Sequence, residues 1–171
     1  MAPPSAHHGS PPVTAAVCGL YCEACSIFLA SRDDPARLAA LAGRMGWTVE
    51  DTYCQGCRAD RRTVYCRTCA FVPCAAEKGI EFCGECARFP CAPLVAFRDA
   101  LPHRIEIFAN LTRLREVGVK AWMEEVAHRY ECGACGTINS AYDLACRHCG
   151  HSPGSPYAAD HEEEIAARLR G

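Results

Sequence analysis

The sequence predicts a small, mainly α-helical protein stabilised by metal, with irregular cysteine knuckles and a C-terminal zinc ribbon. The 171 residues include 15 cysteines, a share at which a metal or disulfide framework has to be considered. Most of these cysteines come in CxxC pairs, which can each give two ligands to one metal. Between the cysteines, apolar residues recur at helical spacing.

The N-terminal residues favour metal over disulfides. Residues 1–16 contain four prolines, no Lys or Arg, and no apolar run of the length found in a signal peptide. We therefore expect a disordered tail over 1–16 and a cytoplasmic protein, in which thiols stay reduced. The odd number of cysteines also argues against a complete disulfide set.

The overall charge and hydropathy restrict the partners. The net charge of −2 gives no general attraction to nucleic acid or to acidic membranes. No stretch approaches the roughly 20 apolar residues that a membrane span needs. A protein partner is compatible with both observations, and the oligomeric state is left open.

Residues 17–101 form a predicted cysteine-rich metal-binding domain. A short helix is expected from Ser26. A longer one is expected after Asp34, an N-cap residue followed by proline at the first helical position. Leucines at helical spacing follow, and Gly46 is a plausible C-terminal stop.

Residues 102–129 are predicted to be a helical connector, 130–156 a zinc ribbon and 157–171 a C-terminal helix. Pro102 should end one helix and Gly118 should separate two more. The last helix is expected to begin near Asp160, with Glu163 completing a capping-box-like start. His103 and His128 lie among these helices, and we interpret both as ordinary surface or partly buried histidines.

The strongest motif is the pair of CxxC sequences near the C-terminus. Ten residues separate the two pairs, a separation that can bring four thiolates to one tetrahedral point. A structural zinc site is therefore predicted, with the ligands Cys132, Cys135, Cys146 and Cys149.

The first block has eleven cysteines, which is not a multiple of four. Two closed sites of four would use eight of them and leave three. Cys18, Cys22 and Cys25 form a CxxxCxxC run, a spacing that also holds the iron–sulfur cluster of radical S-adenosylmethionine enzymes. The chain lacks the strand–helix alternation of that class. Two interpretations stay open: an open zinc or iron–sulfur site on these three, or a closed site completed by Cys74 or Cys91. The other predicted ligands of the block are Cys54, Cys57, Cys66, Cys69, Cys83 and Cys86.

The runs CGLYCEACSIFLA, CQGCR and CRTCAFVPCAAEKGIEFCGECARFPCAPL resemble an uncharacterised cysteine-rich family of bacteria and archaea, known only as a domain of unknown function. Every cysteine of that family's pattern has a match here. Val72 and Pro73 stand where the family often has Ile-Arg. The resemblance implies metal binding and supplies no reaction.

Two functions from different classes remain. The first is a multi-site metal-binding protein with mostly structural zinc that acts as an interaction or regulatory module. The second is a metalloenzyme, or an iron–sulfur or sulfur-handling protein, with its chemistry at Cys18, Cys22 and Cys25. Since the sequence has no phosphate-binding glycine loop, nucleophile elbow or HExxH motif, it does not decide whether the protein is an enzyme.

Overall fold

The structure is a computed structural model that describes residues 12–170. Its regular secondary structure is helical, and this range contains isolated β-bridges but no β-strand. The predicted mainly helical class is therefore confirmed. The strands typical of a zinc ribbon are missing from the described part of the chain, where a single bridge between Glu131 and Ile138 stands in their place.

The helices are short in the first half of the chain and longer in the second. Three 3₁₀ turns lie at Cys22–Ala24, Cys83–Glu85 and Pro102–Arg104. The α-helices are α1 (Ser26–Asp33), α2 (Pro35–Met45), α3 (Val49–Thr52), α4 (Val64–Arg67), α5 (Phe71–Glu77), α6 (Ala92–Ala100), α7 (Ile107–His128) and α8 (Pro156–Arg170).

Local sequence signals account for the bounds of α2. The Asp34 side chain accepts a hydrogen bond from the Arg37 backbone N–H, with Pro35 at the first helical position. At the other end, Gly46 adopts a left-handed conformation (φ 68°) and its N–H closes the last turn. Both features agree with the predicted cap and stop.

The long helix α7 contains the predicted interruption. Gly118 has φ 80° and ψ 165°, so two helical segments meet there at a kink. The side chains of Ile107, Leu111 and Trp122 are almost completely buried, which puts this helix at the centre of the core.

Helix α8 begins earlier than predicted. It starts at Pro156, where the Ser155 hydroxyl accepts a hydrogen bond from the backbone N–H of Ala158. The prediction of a start near Asp160 is wrong, because a serine followed by proline supplies a cap one turn earlier. Asp160 lies inside the helix and pairs with Arg129, and a kink follows at His161.

The main hydrophobic core joins residues from Ala15 to Ile165, and a smaller cluster lies between α1 and α2. Tyr130 stacks on Tyr157 with ring centroids 4.9 Å apart, and Tyr21 contacts both Tyr130 and Trp122. The segment 12–16 differs from the predicted tail, because Ala15 is fully buried in this core. The rest of that predicted tail, residues 1–11, lies outside the described residues.

In the described range, none of the helices combines the length and the hydropathy that crossing a membrane would require.

Candidate metal-binding sites

Four cysteine thiols near the C-terminus converge on one point. Their sulfur atoms all lie within 4.8 Å of one another. The Sγ atoms of Cys132 and Cys149 are 3.7 Å apart, and so are those of Cys135 and Cys146. These four thiols form a group that can bind a metal ion, and we call it the four-cysteine site.

The four-cysteine site is built from two equivalent knuckles, each a CxxC pair followed by glycine. In the first, the Cys132 N–H donates to the Thr137 carbonyl, and the Gly136 N–H donates to the Cys132 carbonyl. The second repeats this pattern, from Cys146 to His151 and from Gly150 to Cys146. Gly136 (φ 70°) and Gly150 (φ 74°) are both left-handed, a conformation that glycine adopts without steric cost.

The environment of the first knuckle favours the thiolate form. Hydrogen bonding with the side chain and then the backbone of Thr137 lowers the pKa of the Cys135 thiol to about 5, whereas hydrogen bonding with the neighbouring thiols raises that of Cys149 to about 12. A metal ligand has to be deprotonated, so this local arrangement favours metal binding. His148 and His151 are exposed and do not belong to the converging group.

Seven of the eleven remaining cysteines line a single cavity of about 1100 Å³. We call this space the cysteine-lined cavity. Apart from its thiols, its wall is mostly apolar and aromatic, with a few polar groups. The lining cysteines are Cys18, Cys22, Cys25, Cys54, Cys57, Cys66 and Cys69.

Close packing positions the first cysteines of this cavity. Gly19 has φ 84°, and a Cβ atom there would lie 2.7 Å from the Leu111 Cγ atom, so only glycine lets the chain pass α7 after Cys18. Cys25 precedes α1. Burial raises the pKa of Cys25, and the backbone N–H groups of Phe28 and Ile27 at the helix start oppose that rise.

Burial favours the protonated form of four other cavity thiols when no metal is present. It raises the pKa of Cys18 and of Cys22 far above the usual value for a thiol. It raises that of Cys57 as well, and that of Cys66 to about 11. A metal entering this cavity therefore has to displace protons, and its binding should strengthen as pH rises.

The last four cysteines of the block do not line the cavity, although Cys83 lies near Cys18 and Cys69. We call these four the outer cysteine group: Cys74, Cys83, Cys86 and Cys91. Burial, followed by the nearby charges of Cys91 and Cys74, raises the pKa of Cys83 to about 12. The Lys78 ammonium group donates to the Cys74 sulfur at 2.7 Å. None of the four belongs to the cavity lining.

The cysteines of the first block are thus grouped as seven and four. Cys18, Cys22 and Cys25 share their cavity with four of the eight cysteines that the open-site interpretation would place in two separate sites. Within residues 12–170, no set of three potential ligand atoms outside the four-cysteine site lies mutually within 4.8 Å. Whether each of these eleven cysteines binds metal stays a prediction.

The sequence analysis does not predict the polar part of the cavity wall, to which Tyr65, His103, Arg104 and Tyr142 contribute. Tyr65, the adjacent pair His103 and Arg104, and Tyr142 lie far apart in the chain and belong to no spaced motif. His103, interpreted from the sequence as an ordinary histidine, contacts the Tyr142 hydroxyl with its Nδ1 atom at 2.7 Å.

Comparisons with known proteins cover only the first half of the chain. No curated protein and no solved structure matches it. Residues 14–96 match a family model described as "Protein of unknown function (DUF3795)". The matched segment contains all eleven cysteines of the first block and excludes the four-cysteine site, so the similarity to this family of unknown function covers the cavity-lining cysteines and the outer cysteine group.

Proposed function

We propose that this protein is a multi-site, cysteine-ligated metal-binding protein in which the four-cysteine site holds a structural zinc ion. The spacing of its sulfur atoms carries the proposal. A tetrahedral zinc ion with Zn–S bonds of about 2.3 Å separates its ligands by about 3.8 Å. The two measured sulfur–sulfur distances are 3.7 Å. Four thiolates fill a tetrahedral zinc site and leave no open position, which is typical of structural sites.

Polar contacts that join the loop of the four-cysteine site to α1 and α2 also favour a structural role. Arg147 makes two hydrogen bonds, of 2.9 and 3.1 Å, to the Asp33 carboxylate. Arg37 contacts Asp143 at 3.0 Å, and Ser26 donates to Ser140 at 2.9 Å. A metal that orders this loop therefore also orders its contacts with the cysteine-rich segment.

Metal analysis on anaerobically purified protein tests the proposal. Cys149→Ser should lower the zinc content by one equivalent per chain, and His148→Ala, an exposed neighbour in the same knuckle, should leave the content unchanged. A disulfide between any two of the four cysteines would contradict the proposal, as would equal zinc content in the wild type and Cys149→Ser.

A second candidate function, iron–sulfur or sulfur handling, rests on the cysteine-lined cavity. Seven thiols face one space, yet no three of them come within 4.8 Å of each other. A single ion needs its ligands close together. A cluster spreads them, because each thiolate binds a different iron atom. The cavity thus suits a polynuclear centre better than a lone zinc ion.

Visible absorption and iron and sulfide analyses test this second function. A cluster predicts a brown protein with iron and sulfide in comparable amounts, and Cys22→Ser should lose both while the zinc at the four-cysteine site stays. A colourless, iron-free protein after anaerobic preparation rejects it. In that case we propose that the protein is an interaction or regulatory module with a protein partner. Copurification of a partner with the zinc-loaded chain tests this role.

A further inference from the structure

A chain of hydrogen bonds runs along the wall of the cysteine-lined cavity and joins Tyr65, Arg104, His103 and Tyr142. We call these four residues the donor patch. The Arg104 Nη2 atom donates to the Tyr65 hydroxyl oxygen at 2.7 Å, and its Nε atom donates to His103 Nε2 at 3.3 Å. The His103 Nδ1 atom lies 2.7 Å from the Tyr142 hydroxyl. All four residues line the cavity.

Arg104 is a buried cation with no acidic partner. Only 4% of its surface is exposed, and among residues 12–170 it forms no ion pair. Its guanidinium lies 3.7 Å from the centre of the Phe97 ring, and Nη1 donates to the Phe97 carbonyl. Burying a charge is costly unless an opposite charge accompanies it. The Arg104 site is therefore incomplete without an anion.

The direction of each hydrogen bond shows that the donor patch keeps free hydroxyl donors. Arginine has no acceptor, so His103 Nε2 must accept and the ring proton must be on Nδ1. That proton is donated to the Tyr142 oxygen, which leaves the Tyr142 hydroxyl hydrogen free. Tyr65 also accepts, from Arg104. In the described part of the chain, neither hydroxyl hydrogen has an acceptor, so both are available to an anion in the cavity.

The other charged groups in the cavity wall limit the charge of that anion to one. Arg37 is neutralised by Asp143, and Arg44 is exposed to solvent. Among the described cations that line the cavity, Arg104 is the buried one without an acidic partner, and a monoanion balances its charge.

The rest of the wall suits an apolar molecule. Ile27, Phe71 and Leu101 line the cavity. Met45 and Leu169 line it too and are 40% and 58% exposed, so apolar side chains extend from the cavity to the surface of the protein. A pocket that is mostly apolar, with a few convergent polar groups, is typical of sites for small organic ligands.

From these observations, we propose that the cavity binds a small carboxylic acid with an apolar tail. The carboxylate lies against Arg104 and the hydroxyl groups of Tyr65 and Tyr142, and the tail lies along the apolar wall beside the cysteines. This proposal goes beyond the metal-binding function and does not depend on zinc at the four-cysteine site.

Calorimetric titration of the metal-loaded protein at neutral pH with hexanoate tests the proposal, with 1-hexanol and inorganic phosphate as comparison probes. Hexanoate should bind, and the other two should bind at least about tenfold more weakly, because the alcohol lacks the charge and phosphate lacks the tail. Arg104→Gln should weaken hexanoate binding by about tenfold or more, the loss expected for a hydrogen bond to a charged group. Tyr142→Phe should weaken it by roughly threefold to tenfold.

Arg113→Gln is the matched control, because Arg113 is exposed and pairs with Glu125 on the surface of α7. It should bind hexanoate like the wild type. If Arg104→Gln does not fold, Tyr142→Phe and Tyr65→Phe decide the outcome, and wild-type affinity in both overturns the proposal.

Three other results also overturn the proposal: equal binding of hexanol, tighter binding of phosphate, and absence of hexanoate binding. A changed visible spectrum in Arg104→Gln, together with absence of hexanoate binding, would assign the Arg104 charge to the metal centre instead. Zinc content is measured separately, so none of these results decides the proposed function.

Discussion

The donor patch shows how tertiary structure determines the chemistry of single residues. Tyr65 and Tyr142 are far apart in the sequence and meet at one pair, His103 and Arg104. Composition and spacing could not predict this donor patch, because its free donors depend on which ring nitrogen of His103 carries the hydrogen atom. The cysteines near the C-terminus differ in this respect, because the CxxC spacing alone identifies the members of the four-cysteine site.

The state of His103 leads to a prediction about pH. Burial, assisted by the charge of Arg104, lowers the pKa of His103 to about 3, whereas an unfolded histidine titrates near about 6.5. Between these values the unfolded chain carries more protons at this site than the folded chain. The free energy of unfolding should therefore decrease as pH falls from about 6.5, by up to about 1.4 kcal/mol per pH unit from this residue.

His103→Gln isolates that contribution, because glutamine is similar in polarity and does not titrate. Urea unfolding is measured for the wild type and the variant between about pH 6.5 and about pH 5. The difference between their free energies of unfolding should change by up to about 1.4 kcal/mol per pH unit. Metal release affects both proteins alike and cancels in the difference. Parallel curves would mean that the pKa of His103 is the same in the folded protein as in the unfolded chain.

At the scale of secondary-structure elements, the sequence predicts helix ends and kinks correctly where one residue type determines the local backbone conformation. Asp34 and Gly46 bound α2, and Gly118 interrupts α7, as their residue types predict. The predicted start of α8 near Asp160 is wrong because residues 155–163 contain two possible N-cap residues, and the helix begins after the first, Ser155. The cap at Ser155 also places Tyr157 in the core, where its hydroxyl donates to the Pro102 carbonyl at 2.5 Å. Packing decides between such alternatives, and the local sequence does not.

Gly118 supports a prediction about the kink in α7. Its φ of 80° and ψ of 165° lie in a region that is essentially restricted to glycine. A Cβ atom there would meet nothing within 4 Å, so the cost of Gly118→Ala is backbone strain alone. We expect the free energy of unfolding to fall by about 1–3 kcal/mol, measured by chemical denaturation.

Gly43→Ala is the matched control. Gly43 lies inside α2, and a Cβ atom there also meets nothing within 4 Å. Because alanine favours a helix interior over glycine by about 1 kcal/mol, this variant should be more stable than the wild type. A change of the same sign in the two variants would contradict the assigned backbone conformation of Gly118.

At the scale of the whole molecule, the larger of two hydrophobic clusters joins residues from several of the segments predicted from the sequence. The core includes Tyr21 from the cysteine-rich segment, Trp122 from α7 and Tyr157 from α8. The loop of the four-cysteine site also contributes to it through Ala141, which is fully buried. Segment boundaries drawn from cysteine density could not reveal this, since the residues that join the segments are ordinary apolar residues.

A shared core predicts that loss of metal from the four-cysteine site destabilises the entire described structure. A structural zinc contributes on the order of 10 kcal/mol or more, and the net stability of a domain is about 5–15 kcal/mol. Cys149→Ser should therefore lower the midpoint of thermal unfolding in one transition. Far-ultraviolet circular dichroism, which follows the helices, and the fluorescence of buried Trp122 should report the same midpoint.

His148→Ala is the control for this prediction and should unfold like the wild type. Two separate transitions in Cys149→Ser, with the cysteine-rich half unchanged, would instead establish 130–156 as an independent domain. Coincident loss of both signals would mean that zinc at one end of the chain also maintains the cavity at the other, because Tyr142 belongs both to the loop of the four-cysteine site and to the cavity wall.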